Sequence, residues 1–220
     1  MDNHTTQALW SQFGAAIDML ENAITACPDH VWDKPVPVGI DRNHDSETPM
    51  EGTATVAGKR EGVMGAAPGM SKFHEYWYMA YHTLFFLDYY MSETEEGFAP
   101  PEPFTLSELD PAGALPDRVY TKDELLTYLG HGRAKARATV EAMISHPKGG
   151  APGTSSHPKG GAPGTSVDPA HERAGFTRPE VSRFELALYV LRHVQHHAAQ
   201  LHFMLRQALD EAPRWVGTAG

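Results

Sequence analysis

The sequence predicts an all-α fold, an antiparallel four-helix bundle with long crossover loops, on three observations. Four segments read as helices through their apolar spacing, their unbroken length or their capping residues. The stretches between them are rich in Gly and Pro, as connections are. Two histidines one helical turn apart, His193 and His197, lie on the last helix and ask for a partner helix beside it.

The first helix is expected over about 6–26, where Leu9, Phe13, Ile17, Leu20 and Ile24 recur at three- and four-residue spacing and Cys27-Pro28 ends the run. Residues 28–70 hold Pro, Gly, Asp and Thr with no sustained period and read as a long connection. The second helix is expected over 71–91. It is dense in aromatic residues from Phe73 to Tyr90, which favour strands slightly, but its length without Gly or Pro selects a buried helix.

A second connection, 93–120, carries Ala99-Pro100-Pro101-Glu102-Pro103 and one short turn around Ser107 to Leu109. Thr121 and Glu124 then form a Thr-x-x-Glu capping box that opens a third helix over 121–144. The loop 145–177 contains SHPKGGAPGTS at 145–155, repeated letter for letter at 156–166. The unit is too short and too rich in Gly and Pro for a solenoid and lengthens a surface loop. The fourth helix is expected over 178–209, with Pro179 at its first turn.

At 220 residues, with 41% apolar residues, the chain fits a single domain over 1–220 with a core of its own. A net charge of -10 disfavours nucleic acid and anionic membranes, which need clustered Lys and Arg. A single cysteine, Cys27, rules out an internal disulfide and any Cys-built zinc or redox motif, and a cytoplasmic setting is expected. The N-terminus does not read as a secretory signal, and the apolar run Trp77 to Met91 is too short and too interrupted for a membrane span.

Thirteen histidines invite a metal reading. On a wheel of about 100° per residue, His197 falls in the apolar arc of Val190, Val194 and Leu201, His193 on its border and His196 beside Arg192, outside. Two imidazoles leave a transition metal short of ligands, and His82, midway along the second helix, is the best-placed third donor. A core histidine satisfied by Tyr or a carbonyl is the other reading of His82, and a solvated edge the other reading of the pair. His74 lies roughly 12 Å from His82 at about 1.5 Å per residue and cannot share its ion. His202 falls opposite His193 as a packing or surface residue, and His146 and His157 belong to the repeat. Glu185, Tyr189 and Gln195 are candidates to accept the rings' other N–H. No HExxH, P-loop or GxSxG motif is present.

The segment Trp77 to Asp88 (WYMAYHTLFFLD) and the segment Arg192 to Leu201 (RHVQHHAAQL) together resemble the DinB-like (YfiT-like) metalloenzyme family. The linking stretch Gly97 to Phe104, continuing through Asp110 to Gly113, is similar to a subgroup of it, so that the resemblance runs from Phe73 to Gln207. It implies a four-helix bundle with one histidine of the second helix and an HxxxH pair of the fourth on a divalent metal, mapping onto His82, His193 and His197. It also implies bacterial relatives that include S-transferases and a maleylpyruvate isomerase dependent on low-molecular-weight thiols.

The expectation is a metal-dependent transferase or hydrolase of a small molecule, with a low-molecular-weight thiol as candidate cosubstrate. Imidazole serves several divalent metals; zinc or nickel is expected first and iron after them. The alternative is a non-catalytic metal-binding or stress-response bundle in which the histidines staple two helices and the aromatics form a homodimer face.

Overall fold

The structure, a computed structural model of the chain, describes residues 1–34, 75–111, 115–143, 175–176 and 181–219. The tandem repeat with His146 and His157, residues 35–74 with His74, and the expected boundaries at 144 and 178 lie outside them. Among the described residues the fold is all-helical, as expected: five α-helices, one 3-10 turn at Leu106–Leu109 and no strand. An isolated parallel bridge joins Thr94 to Gly175. None of these helices is long and apolar enough to cross a membrane.

Helix α1, Asn3–Ala26, begins three residues before the expected start because the Asp2 side chain accepts from the Thr5 N–H at 2.7 Å. Its predicted apolar stripe is the buried one, Leu9, Phe13, Ile17, Leu20 and Ile24 all lying in the core. A short α2, Asp29–Trp32, occupies the start of what the sequence reads as connection. It exists to deliver Trp32, whose indole N–H donates to the Tyr120 carbonyl at 2.9 Å and whose ring lies 5.9 Å from Tyr76.

Helix α3, Tyr76–Tyr90, is shorter at both ends than the expected 71–91 and is buried almost all round. Only His82, Phe86 and Tyr90, spaced four apart, are half-buried and form one stripe. Tyr81, Phe104, Tyr120 and Tyr128 gather into an aromatic core between α3, the 93–120 connection and the next helix, with Phe104 stacked 4.3 Å from Tyr128.

Helix α4, Lys122–Ala142, opens with both halves of the Thr121/Glu124 capping box in place. Helix α5, Arg183–Leu209, starts inside the expected 178–209, at a cap supplied by Ser182, whose hydroxyl accepts from the Glu185 N–H at 3.2 Å. It ends at Asp210, which adopts a left-handed conformation at φ 60° and which Asp tolerates better than most residues.

The four long helices pack in a closed circuit, α1 against α4 and α5 and α3 against the same two, while α1 and α3 scarcely meet. The tail beyond α5 returns to α1, where the Ala219 N–H donates to the Ser11 carbonyl at 2.9 Å and the Gln12 amide to the Gly217 carbonyl at 3.2 Å. Gly14 permits this approach, since a Cβ there would stand 2.5 Å from that of Ala219. The α3–α5 contact is the one that carries the histidines.

Candidate metal centre

His82 projects from the half-buried stripe of α3 toward α5, where the four-residue spacing of His193 and His197 turns both rings to the same side. The three rings meet: centroids lie 5.4 Å apart for His82 and His193, 5.1 Å for His82 and His197, and 4.6 Å for His193 and His197. One donor nitrogen from each falls within 4.8 Å of the others, and among the described residues no further His, Cys, Asp or Glu joins the group. An ion about 2.1 Å from each nitrogen in tetrahedral geometry would bring donor pairs to roughly 3.4 Å, within reach of side-chain rotation.

The donor chemistry fits a divalent transition metal. Burial, followed by the neighbouring imidazoles, pulls the His193 ring down to about 3. Burial, followed by His82, pulls His197 down to about 4 against the opposing hydrogen bond from Gln200. Both rings are therefore uncharged at neutral pH and keep a lone pair for an ion. His193 Nδ1 is also buried without a hydrogen-bond partner, a deficiency that a ligand or water would relieve.

The other ring nitrogens are oriented. His82 Nδ1–H donates to the Glu108 carboxylate at 2.7 Å, and His197 Nδ1–H donates to the Gln200 amide oxygen at 2.7 Å. Each bond selects the tautomer with the proton on Nδ1 and leaves Nε2 as the nitrogen that could ligate. This corrects the expected partners. Glu185 sits at the α5 N-terminus, with its N–H on Ser182. The Tyr189 ring lies 5.6 Å from Tyr90, and the Gln195 amide donates to Met19 Sδ at 3.5 Å. Gln200 was within reach of sequence reasoning, since it stands three residues after His197 on the same helix face. Glu108 was not, because no periodicity ties an irregular Pro-rich connection to a residue of α3.

The remaining histidines separate as their positions on the helix suggest. His196 is exposed, its ring 5.0 Å from His197 but outside the donor group. His202 is buried, not on the surface, and hydrogen-bonds through Nε2 to the Met19 carbonyl at 3.0 Å. Phe86 packs beside the centre, 4.9 Å from the His82 ring and 5.9 Å from His193. On the outer side of α5 a groove of about 750 Å³ reaches His193 between Tyr189, Arg192, His196, Gln200 and Phe203.

No protein-family model, curated protein or solved structure matches the chain.

Proposed function

We propose that this chain is a DinB-like antiparallel four-helix bundle that holds one divalent metal ion on His82, His193 and His197 and acts as a metal-dependent transferase or hydrolase on a small molecule. The observation that carries the reading is the convergence of three imidazoles from two helices with no fourth protein ligand among the described residues. Catalytic metal sites keep such an open position, whereas structural ones close it. Zinc or nickel suits the donor set, with iron next. The groove that borders His193 offers a small substrate a route to the centre.

A divalent ion on three neutral imidazoles retains its full charge and supplies Lewis-acid activation of a thiol or water. The protein's own residues do the rest. Glu108 and Gln200 hold two rings in fixed tautomers. Phe86 packs its ring against His82 and His193. Arg192 and His196 line the groove with cationic and hydrogen-bonding groups, which would receive an anionic substrate group. Cys27 takes no part: burial pushes its thiol up to about 12, so any thiol chemistry uses a thiol brought by the cosubstrate.

Elemental analysis of protein purified without an affinity tag is expected to find one divalent ion per chain, and adding metal to the stripped protein to raise its melting temperature. Failure of both overturns the reading. Thiol-dependent turnover of electrophiles, lost in His82→Ala while the helical fold persists, separates an enzyme from a metal-stapled bundle.

A further inference from the structure

The 3-10 turn Leu106–Leu109 inverts the usual partition of side chains. Its two leucines are 47% and 40% exposed, while the Glu108 side chain is 5% exposed. A carboxylate withdrawn from water in this way is costly unless it is paired. Violations of local patterning of this kind tend to mark functional positions.

The turn is held for the purpose. The Tyr81 hydroxyl donates to the Thr105 carbonyl at 3.2 Å and lies 3.4 Å from Ser107 Oγ. The Tyr78 hydroxyl shares the Glu108 carboxylate with His82. Among the described residues the ion-pair partner of Glu108 is His82, and no Lys or Arg faces it. The other two rings differ: His197 is backed by the neutral Gln200 amide, and His193 Nδ1 is buried without a hydrogen-bond partner.

We propose that Glu108 is a positioning residue for a divalent cation: its carboxylate locks His82 with Nε2 toward the other rings and makes His82 the anchoring ligand of an unequal set of three. The assignment rests on the metal-centre reading above. A carboxylate accepting from a ligating imidazole strengthens that ring as a donor and removes its rotational freedom.

The test uses the full chain, stripped of metal and titrated with cobalt(II) in competition with a chelator, with the visible absorption bands recorded and the melting temperature of the metal-free protein measured alongside. Glu108→Gln keeps the size and the acceptor but removes the charge; Glu108→Ala removes both. Cobalt affinity is expected to fall roughly 10–100-fold, more in the alanine variant, with shifted absorption bands, and to fall less in Gln200→Ala. A merely structural His82–Glu108 pair would lower the melting temperature of the metal-free protein and leave affinity in Glu108→Gln within about twofold of the parent, and that result overturns the proposal. If the parent chain itself binds no cobalt, the metal-centre reading falls, and this assignment with it.

Discussion

Asp88 is wholly withdrawn from solvent on α3, away from the histidines. The Tyr128 hydroxyl donates to it at 3.0 Å, His131 Nε2 approaches at 3.2 Å, and the Lys135 ammonium completes the set. Breaking a buried pair strands whichever charge cannot reach water. Lys135 is 27% exposed and can swing outward, whereas Asp88 cannot. Lys135→Met is therefore expected to cost about 3–5 kcal/mol, and Asp88→Asn, which keeps an acceptor for Tyr128, less. Urea denaturation of the two variants measures the order, and a larger loss in Asp88→Asn would contradict it. Cys27 gives a second expectation at this scale. With its thiol pushed up to about 12 by burial, it should resist alkylation at pH 8 in the folded chain and react once urea unfolds it. His193 and His197 were legible because helical spacing turns them to one side, and His82 from its place midway along the second helix and from the family resemblance. Glu108, Lys135 and His131 were not, since each matters only through a residue distant in sequence.

At the scale of elements, caps and glycines decide the boundaries. Thr121→Ala removes one half of the α4 capping box and should cost about 0.5–2 kcal/mol in thermal or urea unfolding. The Arg118 guanidinium, then Thr121, holds the Glu124 carboxyl at about 2, below its ordinary 4.5. A lowered carboxyl stabilises the fold above pH 4.5, and that contribution is lost as pH falls toward 2. The pair is exposed, so the effect is small and weakens with salt. In Arg118→Ala the carboxyl should titrate nearer 4.5, which carbon-detected NMR can follow. Gly130 has nothing within 4 Å of an added Cβ, while one at Gly132 would stand 3.0 Å from Leu87 Cδ2. Gly130→Ala is thus expected to stabilise α4 by about 0.5–1 kcal/mol, a gain that Gly132→Ala forfeits against α3. The amphipathic α1 and the capped α4 were legible within a few residues of their ends. Helix α2 was not, because four residues around a tryptophan carry no period. The cap of α5 at Ser182, with Glu185 three residues on, stood in the sequence beside the more conspicuous Pro179.

Over the whole molecule, the helical class follows from the spacing of apolar residues, but the pairing of helices does not. That α1 meets α4 and α5 while scarcely touching α3 depends on side-chain volumes that one sequence does not rank. A saturating metal ion at 100 times its Kd should add about 2.7 kcal/mol to the stability of the chain, read in a calorimetric scan. The placement of His82 on α3 and its partners on α5 has a consequence for how the protein is made. During synthesis His82 leaves the ribosome long before His193 and His197, and a nascent chain without α5 offers a lone imidazole, too weak a donor set to capture an ion. Capture of an ion on all three rings therefore has to await α5, and a chain ended before His193 should fail to retain cobalt(II) that the full chain holds.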